Sequence, residues 1–245
     1  MVRINSYGKT DVGLVRKNNE DAFLAAPELG LWVVSDGMGG EEKGEVASKI
    51  LVDTALEVFS ESDGFAKEEI IRERVQQIFA QANERILTWA QNHNLSQMGC
   101  TGEVMAFSGD SGYFLGHVGD SRTYRLRGGQ LRQLTNDHSL VQQQIDEGLI
   151  SPEEARKSPL RNIILRAVGT ERNLMIDLLR GKAVAGDVYL LCSDGLTGMV
   201  PDQRIEEILR SPLGLPRKAN ELIEKANAAG GVDNITVVLF EIQAL

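Results

Sequence analysis

Residues 31–40 read LWVVSDGMGG, and the fold interpretation depends on this stretch. Four apolar residues typical of strands precede Ser35 and Asp36, and a glycine-rich turn follows them. From about residue 44 to 59, apolar side chains then recur every three or four positions, which is typical of an amphipathic helix. The glycines resemble a phosphate-binding loop in composition, but the stretch has neither the lysine of a P-loop nor the spacing G-x-G-x-x-G. The pattern predicts a strand, a turn that carries an acid, and a helix.

Outward from this stretch, short strand candidates alternate with helix candidates. Strands are predicted at 21–25, 104–107, 113–118, 123–126, 130–134, 188–192 and 235–240, and helices at 71–86, 140–147, 152–156, 201–209 and 217–229. Asp137 and Ser151 are the expected N-caps of the helices near 140 and 152, and hairpin turns are expected at 109–112 and 128–129. The sequence predicts an α+β fold with antiparallel sheets and helices on their outer faces.

Aspartates stand at the ends of several of these strands. Asp36, Asp120 and Asp194 each follow a run of strand-forming residues, and Asp233 stands at the entrance to the last strand. A buried strand holds its end rigidly, and hard divalent cations such as magnesium or manganese prefer oxygen ligands. Any one of these aspartates alone is typical of an ordinary turn. Their repeated placement favours a metal site.

The composition excludes several other kinds of chemistry. The 245 residues include 26 Lys and Arg against 35 Asp and Glu, a net charge of −9, which argues against a nucleic-acid binder. A three-histidine zinc site would need all of His93, His117 and His138, and Cys100 and Cys192 are too far apart in sequence for a redox or zinc motif. With no signal-like or membrane-spanning segment, we expect a cytoplasmic protein that binds neither nucleic acid nor membrane. With no second domain, we expect a monomer.

Seven short motifs together resemble one family, the bacterial metal-dependent serine/threonine protein phosphatases of the protein phosphatase 2C type (the PPM family). They occur in the order typical of the family and cover nearly the whole chain, so that together they are far more specific than any one alone. They are 13–21 (GLVRKNNED), 35–40 (SDGMGG), 44–48 (GEVAS), 117–122 (HVGDSR), 134–139 (LTNDHS), 192–197 (CSDGLT) and 231–236 (GVDNIT).

The resemblance implies a fold and a cofactor. The fold would be a four-layer α-β-β-α sandwich of two antiparallel sheets flanked by helices, with a single catalytic domain over residues 1–245 and a small flap at about 151–170. The cofactor would be two tightly bound Mn²⁺ or Mg²⁺ ions with a weaker third.

The resemblance also implies roles for seven residues. Asp36 would bridge the two ions, the carbonyl of Gly37 would bind the first, and Asp194 and Asp233 the second. Asp21 would hold metal-bound waters. Asp120 would bind the third ion together with Asp194. Arg16 would bind the substrate phosphate, for which a planar guanidinium is suited.

The sequence departs from the family near the glycine-rich turn. Where family members often carry a histidine, this chain has Met38 and Glu41. The acid that protonates the leaving oxygen would then be Glu41 or a metal-bound water. His117 and His138 are interpreted as hydrogen-bonded structural residues.

Three flap arginines have two open interpretations. Arg156, Arg161 and Arg166 could meet a phosphopeptide, but a solvated helix face is the simpler interpretation for each.

The implied reaction is hydrolysis of phosphoserine and phosphothreonine in proteins. Two divalent ions about 3.5–4 Å apart activate a water that attacks phosphorus in line, without a covalent intermediate. The partners would be phosphoprotein substrates, including a serine/threonine kinase or its targets. Two alternatives stay open: a phosphoprotein-binding pseudophosphatase, and a hydrolase of small phosphomonoesters.

Overall fold

Two antiparallel sheets lie at the centre of the molecule. The computed structural model describes residues 3–39, 43–60, 65–95, 98–109 and 111–244. Its strands are β1 (Arg3–Asp11), β2 (Asp21–Ala26), β3 (Leu31–Gly39), β4 (Met98–Cys100), β5 (Gly102–Phe107), β6 (Gly112–Val118), β7 (Arg122–Arg127), β8 (Gln130–Gln133), β9 (Asp177–Lys182), β10 (Val188–Cys192) and β11 (Ile235–Ala244). The first sheet has the order β1-β11-β10-β7-β8. The second has the order β2-β3-β5-β6-β9, with β4 paired to β3.

Helices cover the outer face of each sheet. The helices in the described ranges are α1 (Gly44–Ser60), α2 (Glu68–Asn92), α3 (Leu140–Asp146), α4 (Pro152–Lys157), α5 (Asp194–Thr197), α6 (Asp202–Arg210) and α7 (Leu215–Ala228), and the four that cover the sheets are α1, α2, α6 and α7. One apolar cluster joins α1 and α2 to the second sheet, another joins α6 and α7 to the first sheet, and a third fills the space between the sheets. The predicted four-layer α-β-β-α sandwich is confirmed.

The central strands are buried on both faces, which explains their continuous apolar sequence. In β3, Leu31 and Val33 belong to the cluster under α1 and α2, whereas Trp32 and Val34 belong to the cluster between the sheets. The ring of Trp32 stacks on Phe240 of β11 with the ring centroids 4.1 Å apart. One strand therefore packs against two layers at once, and its position is fixed from both sides.

Four elements were not predicted, and one strand is longer than expected. β1 and β9 are edge strands with polar sequences, β4 has only three residues, and α5 is a single turn. β3 does not end near residue 34 but continues to Gly39, because its last three residues pair with β4. Asp36 therefore lies within a strand rather than after it.

The predicted N-cap of α3 is wrong, whereas that of α4 is confirmed. The side chain of Ser139 accepts a hydrogen bond from the backbone N–H of Gln142 at the start of α3. The carboxylate of Asp137 instead pairs with the guanidinium of Arg122, at 2.7 Å. Ser151 forms a complete capping box with Glu154.

The connections match the sequence interpretation in part. β5 and β6 pair as an antiparallel hairpin, although Asp110 of the predicted turn lies outside the described residues. The segment 151–170 contains α4, and Val168 forms an isolated bridge to Cys100. The assignment of this segment as a flap and of residues 1–245 as one domain stays a prediction.

A buried polar bridge connects the two sheets. The carboxylate of Glu103 in β5 pairs with His117 of β6 and accepts a hydrogen bond from the hydroxyl of Thr123 in β7. The other ring nitrogen of His117 lies 2.8 Å from the carbonyl oxygen of Asn136. Burial is the largest single effect and lowers the pKa of His117, but the charge of Glu103 and the hydrogen bonds to Glu103 and Asn136 together raise it above its ordinary value. His117 is thus a hydrogen-bonded core residue, as predicted.

Core packing against α2 can be tested with two isoleucines of the same helix. Ile78 is completely buried, whereas Ile70 is 40% exposed. We expect Ile78→Ala to lower the free energy of unfolding by about 2–5 kcal/mol, because it removes buried methyl groups and leaves a cavity. Ile70→Ala is the matched control and should change it by less than about 1 kcal/mol. Chemical denaturation measures both, and equal effects would contradict the assigned packing.

Candidate metal centre

Five aspartates come together at one end of the sandwich. Asp21 and Asp36 are cross-strand partners on β2 and β3. Asp194 is the first residue of α5, two residues beyond the end of β10, while Asp120 follows β6 and Asp233 precedes β11. Asp36 is close enough to the other four for their negative charges to act on its pKa. The structure therefore brings together all the carboxylates that the sequence pointed to.

The close packing of buried acids makes the cleft electrostatically unfavourable without counter-charges. Burial and then repulsion from Asp21 and Asp194 raise the pKa of Asp36 well above its usual range. Burial also raises the pKa of Asp21 to about 7 and, with repulsion from Asp233, that of Asp194 to about 6. The pKa of Asp120 is raised as well, first by burial and then by the charge of Asp194. The site favours either protons or cations among these oxygens.

Several carboxylate oxygens in the cleft are buried without a hydrogen-bond partner among the described residues. They are Oδ1 of Asp21, Oδ1 of Asp120 and Oδ1 of Asp194. Buried polar atoms are normally satisfied, so such a group of oxygens fits a bound cation or bound water. In the described part of the chain, no three Asp, Glu, His or Cys side chains form a ready-made metal-binding group. The all-oxygen donor set nevertheless fits hard divalent ions, with water and backbone carbonyls completing the coordination.

The end of β3 at Gly37, directly after Asp36, is held by a close backbone contact. A Cβ atom on Gly37 would lie 2.1 Å from the carbonyl oxygen of Gly44, the first residue of α1. The backbone N–H of Gly37 also donates to the carbonyl of Glu20, at 3.1 Å. Only glycine fits this position, so the backbone beside Asp36 has a fixed place between β2 and α1.

Residues that the sequence interpretation missed support the aspartates. The hydroxyl of Ser193 donates to Oδ2 of Asp21 at 2.7 Å and so links the two sheets at the cleft. The backbone N–H of Asp36 donates to the hydroxyl of Thr101 at 2.9 Å. Asn234 accepts from the backbone N–H of Glu20 at 2.8 Å. In the sequence, Ser193 and Asn234 stand next to an aspartate in two of the motifs, and this is the only signal that could have identified them. Thr101 lies in none of the motifs.

Arg16 is at the mouth of the cleft but is bound to a carboxylate. Its Nη2 donates to Oδ2 of Asp233 at 2.8 Å, and its side chain is 52% exposed. This hydrogen bond is the largest cause of the raised pKa of Arg16. The guanidinium therefore stands next to the cleft with much of its surface open to solvent.

His138 and Cys100 are both buried, and the hydrogen bond of His138 agrees with its interpretation as a structural residue. Nδ1 of His138 accepts from the backbone N–H of Gly119 at 3.2 Å, and burial lowers its pKa to about 4. The thiol of Cys100 is fully buried, and its pKa is raised to about 12 by that burial. Neither group is in a state suited to acid catalysis or nucleophilic attack near neutral pH.

The flap arginines differ from one another. Nη1 of Arg166 forms an ion pair with Oδ1 of Asp177 at 3.1 Å. Arg156 and Arg161 line a cavity of about 420 Å³ whose wall also includes Asp120 and Asp194. Glu41, the candidate acid, lies outside the described residues.

Fold and site together define a class of protein: an α-β-β-α sandwich with an acidic cleft where strands of both sheets end. The family model for protein phosphatase 2C matches residues 15–224. The chain belongs to the protein phosphatase 2C family.

Individual relatives agree with this assignment. The serine/threonine phosphatase stp of Listeria innocua is 40% identical over 237 residues, which cover 95% of this chain and 94% of that protein. The crystal structure of the Mycobacterium tuberculosis serine/threonine phosphatase PstP/Ppp has a TM-score of 0.91 and 37% identity, covering 99% of this chain and 100% of that one. The catalytic domain of a phosphatase PstP in complex with two manganese ions has a TM-score of 0.89 and 36% identity, covering 99% and 100%.

No helix in the described ranges combines the length and apolar character needed to cross a membrane.

Repulsion in the cleft can be measured in the metal-free protein. A carboxyl whose pKa is higher in the folded chain binds more protons there, so its contribution to stability falls as pH rises from about 4 to 7. The pKa of Asp21 is raised to about 7. In chelator at pH 8, Asp21→Asn should raise the free energy of unfolding by on the order of 1–2 kcal/mol, with a smaller effect at pH 4.

The control for this measurement is Asp53→Asn, which changes an exposed aspartate on α1 that pairs with Lys49. Denaturation curves at the two pH values decide the matter. A destabilising effect of Asp21→Asn at pH 8 would show that burial and the neighbouring acids do not penalise the charged form of Asp21 as described.

Proposed function

We propose that this chain is a metal-dependent phosphatase that hydrolyses phosphoserine and phosphothreonine in proteins. The observation that carries the proposal is the cluster of buried aspartate oxygens without partners among the described residues. Membership of the protein phosphatase 2C family supports it, as does the similar domain that binds two manganese ions.

The proposed ligands are those implied by the motifs. Asp36 would bridge two Mn²⁺ or Mg²⁺ ions, with the carbonyl of Gly37 on one ion and Asp194 and Asp233 on the other. When bound, such ions supply an activated water and neutralise charge on the phosphoryl group. Asp21 is anchored by Ser193, which leaves its second oxygen free to orient water.

Asp120 is proposed as a ligand of a weaker third ion together with Asp194. Each of these two aspartates has a buried Oδ1 without a partner in the described part of the chain. Both also line the cavity between the sandwich and the flap. A third ion would therefore be bound at the flap side of the cleft.

Arg16 is the proposed phosphate-binding residue. Its guanidinium is half-exposed at the mouth of the cleft, on the same side as Asp233. A planar guanidinium donates two parallel hydrogen bonds to phosphate oxygens, a geometry that lysine cannot reproduce. In this role Arg16 exchanges its carboxylate partner for the phosphate of the substrate.

The leaving serine or threonine oxygen needs a proton donor. His117 is engaged in the bridge between the sheets, and His138 is neutral and buried. Glu41 and a water held in the cleft remain our candidates.

The proposed partners are phosphoproteins, including a serine/threonine kinase or its targets, and the proposed state is a cytoplasmic monomer. The complete set of acids argues against a binding protein without turnover, since such a protein has no use for so costly a cluster. Hydrolysis of small phosphomonoesters uses the same groups and is the second candidate.

Activity should depend on divalent metal and on Asp36. We expect hydrolysis of a phosphothreonine peptide with Mn²⁺, loss of that activity in excess chelator, and a fall of at least about 10³-fold for Asp36→Asn, because the variant loses the bridging charge. The measurement is phosphate release under steady-state conditions. Asp53→Asn should retain wild-type rates, and persistence of activity in chelator would rule out the metal mechanism.

Metal should also stabilise the fold independently of turnover. Cations that bind the folded chain offset the repulsion in the cleft, so the melting temperature should rise with Mn²⁺ concentration by several degrees at saturation. Asp194→Asn should reduce the slope of this rise, whereas Asp53→Asn should keep it. Differential scanning calorimetry gives the answer, and a melting temperature that does not respond to Mn²⁺ would count against the site.

A further inference from the structure

Aliphatic side chains are exposed beside the acidic cleft. They lie on the loop after β1 and on the turn before β11, and we call them the aliphatic platform: Val12 (36% exposed), Leu14 (68%), Val15 (65%) and Val232 (43%). Val15 precedes Arg16 in the sequence, and Val232 precedes Asp233. The platform is therefore contiguous with the proposed phosphate-binding residue and with a proposed metal ligand.

The exposure of the platform is fixed by the backbone rather than by loose loops. The backbone N–H of Leu14 donates to the carbonyl of Gly231 at 2.7 Å, and the side-chain amide of Asn234 donates to the carbonyl of Val12 at 3.0 Å. Gly13 has a φ of +79°, and a Cβ there would lie 2.3 Å from the carbonyl oxygen of Asp233. The loop after β1 and the turn before β11 are therefore held together by backbone contacts, and their aliphatic side chains are exposed to solvent.

Exposed apolar side chains that are grouped rather than scattered are typical of interaction sites. Arg16, next to Val15 in the sequence, and Asp233, next to Val232, are joined directly by a 2.8 Å ion pair, so the platform lies beside the proposed phosphate-binding position. The occupant that the proposed function requires there is the polypeptide that carries the phosphate. The continuity of the platform with the cleft selects this occupant over a second copy of the chain.

We infer that the aliphatic platform binds an apolar side chain adjacent to the phosphorylated residue, and that Leu14 and Val232 select substrates by it. The inference rests on the proposed phosphatase function and adds a substrate class: phosphoserine or phosphothreonine next to a large aliphatic residue. Burial of one such side chain against Leu14 provides discrimination between substrates through the hydrophobic effect.

The test compares two phosphothreonine peptides that differ only in having leucine or glycine on both sides of the phosphothreonine. For the manganese-loaded wild type, kcat/KM should be higher for the leucine peptide. Leu14→Ser should lower the ratio of the two kcat/KM values by about tenfold, which corresponds to about 1.4 kcal/mol. Val232→Ser should also lower this ratio, because Val232 is on the other half of the platform.

Val184→Ser is the matched control. Val184 is 44% exposed and lies between β9 and β10, at the end of β10 opposite Asp194. Its substitution should leave the peptide ratio at the wild-type value. Melting temperatures of all variants are measured in parallel, since an exposed leucine should be removable without loss of folding.

Each outcome has a distinct meaning. An unchanged ratio in Leu14→Ser, or the same change in Val184→Ser, would overturn the inference. So would a change of oligomeric state in Leu14→Ser at sedimentation equilibrium with the ratio kept, which would assign the platform to contacts between copies. If the wild type turns over neither peptide with Mn²⁺, the proposed function itself fails. Turnover of both peptides at equal rates instead rejects only the platform.

Discussion

Repulsion between buried carboxylates is the constraint on which the rest of this structure depends. Two unit charges 4 Å apart interact by about 4 kcal/mol at an effective dielectric constant of 20, and burial adds to the cost of ionisation. Here burial and neighbouring charges raise the pKa of Asp36, Asp120, Asp21 and Asp194. A chain that keeps these groups close needs a scaffold stiff enough to resist their separation. The central strands, which are buried on both faces, provide that scaffold.

The stiffness has identifiable sources. Trp32 stacks on Phe240 across the sandwich, and the polar bridge from Glu103 to Thr123 joins the second sheet to the first. Near the cleft the same connection is made by Ser193, which donates to Asp21 from the other sheet. Since the two sheets are joined both in the apolar core and at the cleft, the acids on β2 and β3 cannot move away from those next to β10 and β11 without breaking these contacts.

The central strands could be predicted from the sequence because a strand that is buried on both faces has a continuous run of apolar residues, as in residues 31–34. The edge strands β1 and β9 could not, since an edge strand of mixed polarity has no such signature. The cap of α3 was misassigned because Asp137 and Ser139 are both good N-caps. Only the position of Arg122 decides that Asp137 pairs with a guanidinium instead. The aspartates of the site were predictable from motifs, while the contacts that hold them depend on strand register.

Arg16 shows that a motif can predict the role of a residue without predicting the partner that its side chain has in the structure. The motif assigns it to phosphate, yet its Nη2 donates to Asp233, and the same N–H cannot serve a carboxylate and a phosphate fully at once. The ion pair is half-exposed, and pairs of this kind contribute little to stability, so it forms no strong barrier to exchange of partners. The backbone around it is the opposite case, braced by Asn234 and by the close approach at Gly13. In the proposed function, a half-exposed guanidinium on a braced loop changes partner without moving the aliphatic side chains beside it. The proposed charge recognition and the proposed apolar recognition at this edge of the cleft are then mechanically independent.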